Sequence, residues 1–347
     1  MKKVRFGIIG AGGIADRRTM PGMMLAKNAE IYAVMEVLPE NAEELKKKYN
    51  AKFAYTDAEE LLKNPDIDAV YIASPVVYHA SQAMMAADYG KHVLIEKPIA
   101  LTYAEGKRVL DYCESKGVLA AAGFMMRFGS HATQMRRAVK NGDLGKVISA
   151  FAQFSCYCPP ESGNWRFDKK KSGGGALMDM GVHCIDLMEY ILDTRVKRLA
   201  CLSDSLAFDS EVEDTATLMM EMKNGAQCVV HTSFACPDET APQRLELYGT
   251  LGRLVGNGIL SQRDGGDLYA IFTAKNRAYN ALQDKSCDKE ALIEGDFGNL
   301  YTKEVESFAD SILNGTPLTV PANDALLVQK AVELAYRSSD ENKFFNI

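Results

Sequence analysis

The sequence predicts an α/β protein, with a doubly wound parallel sheet in its first part and a mostly antiparallel β second part. Three observations predict it. Short apolar runs alternate with helical periodicity as far as about residue 125. The first run opens straight into a glycine-rich turn, Gly10-Ala11-Gly12-Gly13. From Val196 onward the helical rhythm gives way to successive strand-like stretches. Strands alternating with helices imply parallel pairing, because each crossover returns the chain to the same end of the sheet. A chain of 347 residues suits two domains. The break falls near residue 125, giving domains 1–125 and 126–347.

Taken in order, Val4 to Ile9 is the first strand, followed by Ile31 to Glu36, Ala69 to Ala73, His92 to Glu96 and Val118 to Ala122. They read as near-continuous apolar runs, as strands buried on both faces do. Helical patterns fill the gaps at Pro39 to Tyr49, Ala58 to Leu62, His79 to Tyr89 and Tyr103 to Lys116. Beyond the break a helix, Ser130 to Lys140, leads into a long strand, Lys146 to Cys158; a loop and a helix from Gly175 to Leu192 follow. Glu213 to Lys223 and Ala226 to Cys236 are joined by Asn224-Gly225, a strong hairpin signal. Gln243 to Tyr248 and Gly252 to Val255 continue an antiparallel sheet, and helices at Phe297 to Leu313 and Ala322 to Asn342 close the chain.

Composition narrows the function. Charged residues make up 25% and the net charge is -6, which argues against a nucleic-acid partner. No apolar run approaches the ~18 residues of a membrane helix, so no membrane role is expected. Arg5 and the glycines that follow interrupt any signal-peptide core. Eight cysteines are scattered without a CxxC pair and read as buried or idle thiols in a reducing cytoplasm. The methionine-rich pieces at 20–24, 178–180 and 219–222 read as core filler.

Gly10-x-Gly12-x-x-Ala15 directly follows a strand, with Gly13 and Ile14 inside the turn. The first glycine permits the tight turn, the second lets the backbone approach a pyrophosphate, and the small third residue lets helix and strand pack closely. The helix that follows offers free N–H groups and a positive dipole end to phosphates. An acid belongs ~20 residues further on, and Glu36 is there. Its carboxylate suits the adenosine ribose hydroxyls and repels a 2′-phosphate, which favours NAD over NADP. Arg17 and Arg18 keep NADP open.

Two further stretches carry chemistry. Glu96-Lys97-Pro98 ends the fourth strand, and ligands of open α/β sheets bind beyond such ends. Further on, Asp179, His183 and Asp186 are spaced i, i+4, i+7 and share one helical face. Gly173-Gly174-Gly175 precedes them, so something bulky can approach. A metal site from this trio lacks any HExxH or cysteine partner, and no metal is expected.

With these motifs, with Asn164-Trp165-Arg166 and with Tyr248-Gly249-Thr250-x-Gly252, the whole chain resembles the Gfo/Idh/MocA oxidoreductases. The resemblance implies an N-terminal Rossmann domain and a C-terminal α/β domain on a large, mostly antiparallel sheet whose open face forms dimers or tetramers. It implies sugars, inositols or their derivatives as substrates. Lys97 would contact cofactor and substrate hydroxyl, with a cis Lys97-Pro98 peptide. Asp179 and His183 would complete the catalytic group. Trp165 and Arg166 would reach the cofactor. Ser74, Pro75 and His79 would line its adenine and nicotinamide-ribose side, with Glu96 and Arg127 also placed near it. Met125 and Met126 stand where relatives often carry Asn or Arg, which removes a polar substrate contact there.

Oxidising a secondary alcohol requires a hydride acceptor and a base. His183 suits the base, since its unperturbed pKa lies near neutrality. Asp179 would orient it and stabilise the imidazolium, while Lys97 would stabilise the developing alkoxide. Lys97 is the alternative base if cofactor charge and burial lower its pKa. Two other function classes share these residues: a hydrolase or lyase that recycles a retained NAD, and a nicotinamide-sensing regulator that has lost catalysis. Specificity loops are expected at Cys158 to Ser172, Asp238 to Pro242 and Tyr279 to Asp296.

Overall fold

A computed structural model describes residues 2–161, 164–273, 279, 281 and 289–347. They gather into two compact units. The first comprises Met1–Met125, Gly163–Gly173 and Asn299–Lys330; the second comprises Met126–Ser162, Gly174–Gly298 and Ala331–Ile347. Much of the candidate loop Tyr279 to Asp296 lies outside the described residues, as do 162 and 163.

The first unit holds a six-stranded parallel sheet in the order β3-β2-β1-β4-β5-β6. Its strands are β1 (Val4–Ile9), β2 (Ala29–Met35), β3 (Phe53–Tyr55), β4 (Ala69–Ile72), β5 (His92–Ile95) and β6 (Ala120–Ala122). Five of these were expected. β3 escaped notice because three half-buried residues show no burial pattern. β6 starts later than its apolar run, at Ala120. The order reverses between β1 and β4, and the loops after those two strands frame the place where such sheets bind ligands.

The core beneath this sheet is mainly apolar, with Phe6, Ile8, Ala15, Met20 and Tyr71 almost fully buried. The helix Leu300–Asn314 packs here, with Phe308 against Phe6 at 6.2 Å between ring centroids. Helix starts are capped as their sequences suggest. Asp57 accepts from Glu60 N and Thr102 from Glu105 N, each satisfying an otherwise orphaned donor.

The second unit is built on a nine-stranded sheet in the order β14-β13-β12-β11-β7-β10-β9-β8-β15. Its strands are β7 (Val147–Ser155), β8 (Val196–Asp204), β9 (Thr215–Met222), β10 (Gln227–Ser233), β11 (Gln243–Gly249), β12 (Gly252–Asn257), β13 (Asp267–Phe272), β14 (Ala291–Ile293) and β15 (Phe345–Asn346). One pair departs from the antiparallel expectation: β7 and β10 run parallel. β7 comes from before the helix Val182–Leu192, so it enters the sheet from the same end as β10 rather than by a hairpin. The Asn224-Gly225 hairpin is present, and only Gly225 has positive φ, at 88°. The turn is therefore a three-residue loop with a left-handed glycine, since a two-residue primed turn would need positive φ at Asn224 as well.

The helix Val182–Leu192 packs on β7 and β10 and covers one sheet face. The other face presents Phe151 (41% exposed), Met219 (51%) and Leu202 (71%). Met219 thus corrects the reading of its methionine cluster as core, while Met220 and Met222 are buried. Cys156 and Cys158 lie beyond the end of β7, so the strand alternation that put them on one face does not reach them. Among the described residues no helix is long and apolar enough to cross a membrane.

Candidate active site

The glycine turn is built as its spacing requires. Gly10 has φ 74°, and a Cβ there would lie 2.6 Å from the backbone nitrogen of Ser74. Only glycine fits, because both the conformation and the close approach of the loop after β4 exclude a side chain. Gly13 also has positive φ, 55°, but a Cβ there would meet nothing within 4 Å. That open cradle of backbone is what an approaching pyrophosphate requires, so the residues present fit a dinucleotide. Ala15 is completely buried at the helix–sheet contact. The helix after the turn is less regular than expected: Ala15–Thr19 is wound as a wider π turn before Met20–Met23 returns to α geometry. Pro21 explains part of this, since it has no N–H for an α bond.

Glu36 follows β2. Its Oε1 accepts the Gly12 N–H at 2.8 Å and its Oε2 accepts the Val37 N–H at 3.2 Å. The carboxylate is thereby aimed at the glycine turn from the adjacent strand end. After β4, the Ser74 hydroxyl donates to Gln82 Oε1 at 2.6 Å. His79 is 1% exposed, with Nδ1 2.9 Å from the Pro98 carbonyl and Nε2 2.8 Å from the Ser74 carbonyl. Its ring ties the loop after β4 to the turn after β5. Burial pushes its pKa below the ordinary histidine value, against the pull of those carbonyls.

The Lys97-Pro98 peptide is cis, as the resemblance implied. Glu96 is anchored beneath it: the Tyr71 hydroxyl donates to Oε1 and the Lys97 N–H donates to Oε2 at 3.1 Å. Tyr71 lies 2.8 Å from the Thr19 hydroxyl, so β4, β5 and the helix after the glycine turn are joined by one buried polar chain. Trp165 and Arg166 fold back into this first unit, although they follow β7 in sequence. Asn164 Oδ1 accepts the Arg166 N–H at 3.2 Å, and the guanidinium of Arg166 lies 4.9 Å from the Trp165 ring centroid. The next turn, Lys169–Ser172, packs on Val76–Tyr78, directly after Ser74 and Pro75.

In the second unit, Asp179 and His183 lie on one helix, but the helix is not uniform. Leu177–Gly181 is a π turn and Val182–Leu192 is α. A π turn advances less per residue than an α turn, and such bulges recur at functional sites. The π turn lies between Asp179 and the α segment that carries His183. From Val182 onward, through His183 and Asp186, the geometry is α. Asp179 is half-exposed, while His183 is 4% exposed with its ring edge-on to Phe154 at 6.4 Å.

Asp186 has a separate partner. Arg127 Nε reaches its two oxygens at 3.1 and 2.9 Å, and Arg127 Nη2 reaches Oδ1 at 2.5 Å. Both residues are at most 3% exposed, and the guanidinium also lies over Tyr190 at 5.0 Å. Of the three residues read from spacing, Asp186 is thus held in a buried ion pair with Arg127. Among the described residues no group of three His, Cys, Asp or Glu could hold a metal ion.

The glycine run before the helix does admit bulky groups. A Cβ on Gly174 would lie 2.0 Å from the Tyr336 hydroxyl, and one on Gly175 would lie 1.9 Å from the Glu213 carbonyl oxygen. The bulky groups that approach are the protein's own. No spacing rule pointed to Glu213 or Tyr336, which lie far from the helix in sequence.

With this geometry in place, the comparisons with known proteins are direct. Residues 4–124 match the model of the oxidoreductase family with an NAD-binding Rossmann fold, and residues 132–255 match the GFO/IDH/MocA C-terminal domain. The chain belongs to the Gfo/Idh/MocA family of oxidoreductases. This Gfo/Idh/MocA chain is 28% identical to 1,5-anhydro-D-fructose reductase of Ensifer adhaerens, over 89% of its length and 88% of the relative's. It is 25% identical to myo-inositol 2-dehydrogenase of Thermotoga maritima, over 98% and 97% of the two chains. It is 28% identical to D-xylose 1-dehydrogenase (NADP(+)) 2 of Haloferax volcanii, over 96% and 97%. In fold it matches levoglucosan dehydrogenase in complex with NADH, with TM-score 0.88, 21% identity and coverage of 100% and 99%.

Proposed function

We propose that this protein is an NAD(H)-dependent dehydrogenase or reductase acting on a secondary hydroxyl or keto group of a sugar, inositol or related polyol. The observation that carries the cofactor half is Glu36, held on the Gly12 amide beside the open backbone of Gly13. An anchored carboxylate there accepts ribose hydroxyls and repels a 2′-phosphate. A relative that uses NADP(+) makes this preference the point to test. The substrate class is supported by the relatives' names, all of which are sugars or inositols among those compared.

NAD, when bound, accepts or returns the hydride; the protein supplies binding and proton handling. Gly10, Gly12, Gly13, Ile14 and Ala15 form the turn that would hold its phosphates, and Glu36 its ribose. Ser74, Pro75, His79, Glu96, Lys97, Trp165 and Arg166 would line the remainder. Arg127, paired with Asp186, is the remaining residue placed near the cofactor. His183 takes or returns the hydroxyl proton, Asp179 stabilises the imidazolium, and Lys97 bonds the reacting oxygen. The open sheet face around Phe151, Met219 and Leu202 supports a homodimer or homotetramer.

The test is a panel of sugars, inositols and keto sugars with NAD and NADP separately, following reduced-nicotinamide absorbance. Turnover with NAD above NADP is expected, and His183→Ala should lower it ~10²–10⁴-fold with cofactor binding retained. Full turnover in that variant overturns the assignment of His183. Substrate cleavage without net NAD reduction would instead place the chain with enzymes that recycle the cofactor.

A further inference from the structure

The helix that bears Asp179 and His183 opens on three successive N–H groups, and one residue receives all of them. Glu213 Oε2 accepts the Gly175 N–H at 2.9 Å, and Oε1 accepts the Leu177 N–H at 2.9 Å. The backbone carbonyl of Glu213 accepts the Ala176 N–H at 3.1 Å. The Tyr336 hydroxyl donates to Oε1 at 2.8 Å and so fixes the carboxylate from the far side. The first N–H groups of a helix have no partner within it, and a carboxylate there also meets the positive end of the dipole. Gly174 and Gly175 admit this arrangement, because any side chain on either would collide with Tyr336 or Glu213.

Where a helix starts decides where its later residues point. The turn held by Glu213 runs directly into the π turn containing Asp179, whose own N–H bonds the Gly175 carbonyl at 2.9 Å. We infer that Glu213, held by Tyr336, is a positioning residue for Asp179 and His183: it fixes the start of their helix and so the place of the Asp179 carboxylate relative to the imidazole. This rests on the reading of Asp179 and His183 as the catalytic pair. Neither Glu213 nor Tyr336 acts on substrate. In Glu213→Gln the amide oxygen can accept one N–H while the NH₂ group opposes the other, so the first turn shifts. Tyr336→Phe leaves the carboxylate but removes its brace.

The experiment compares wild type, Glu213→Gln, Tyr336→Phe and His183→Ala in kcat, KM, cofactor affinity and the pH profile of kcat/KM. Glu213→Gln should lower kcat about tenfold or more, and Tyr336→Phe about fivefold, with cofactor affinity unchanged. In both, the acid limb of the profile should move to lower pH, because a displaced Asp179 stabilises the imidazolium less. Variants that unfold at lower temperature but keep the wild-type kcat and pH profile overturn the inference. If Glu213→Gln does not fold, Tyr336→Phe alone decides it by the same profile. Should His183→Ala keep full turnover, the catalytic reading itself fails, whatever the Glu213 variants do.

Discussion

Glu304 offers a sharp test of how this fold treats buried charge. It sits on the helix Leu300–Asn314, is 2% exposed, and neither carboxyl oxygen has a hydrogen-bond partner among the described residues. Burial, reinforced by the nearby Glu96 carboxylate, raises its pKa well above the ordinary glutamate value. Tyr301, Arg17 and Arg18 belong to the same neighbourhood. The folded chain therefore keeps a proton on Glu304 that the unfolded chain releases above pH 4.5. The folded state binds more protons, so its stability must fall as pH rises through that window. The slope is about 1.4 kcal/mol per pH unit for as long as the folded group stays protonated. Glu304→Gln keeps the shape without the titration. Urea denaturation across a pH series above ~5 should then show the variant gaining stability on the wild type as pH rises, at up to about 1.4 kcal/mol per pH unit. Parallel stability curves across that range would refute the reasoning and imply that Glu304 ionises in the folded protein.

Three further outcomes follow from the geometry. Asp186→Asn removes the carboxylate of the buried ion pair with Arg127 and should cost about 3–5 kcal/mol, seen as a fall of roughly 10 °C in Tm. The Arg127→Met/Asp186→Leu double variant should recover most of that loss with cofactor affinity unchanged; lost affinity would give Arg127 a direct cofactor contact. Gly10→Ala should destabilise the first unit severely, because its φ of 74° and the 2.6 Å approach to Ser74 both forbid a side chain. Gly13→Ala should cost only about 1–2 kcal/mol in thermal unfolding yet weaken dinucleotide binding, since its Cβ would occupy open space. Replacing Glu36 by Ser should reduce NAD affinity roughly 10- to 100-fold in a fluorescence titration and narrow the gap to NADP; equal NAD affinity would remove Glu36 from the ribose site.

Much of this molecule is legible in its sequence. The parallel sheet was written in apolar runs separated by helical periodicity, and the glycine turn in a spacing whose steric reasons are local. Glu36 and Lys97 could be placed because strand ends in such sheets have a fixed functional geometry. Family motifs then joined Lys97 to Asp179 and His183. These features share one property: each is decided by a residue's near neighbours in sequence or by a repeating topology.

What only the tertiary structure decided depends on residues brought together from far apart. The helix that bears Asp179 and His183 contains a π turn at Leu177–Gly181 that no residue spacing announced. Arg127 met Asp186 across 59 positions, and Glu213 and Tyr336 took up the space opened by Gly174 and Gly175. The Trp165-Arg166 segment and the helix Leu300–Asn314 joined the first unit from far along the chain. No periodicity announces such meetings, since they are set by which surfaces can bury one another after the local elements have formed. The sequence by itself determined the parallel sheet and the glycine turn; packing decided how the helix of Asp179 and His183 is held.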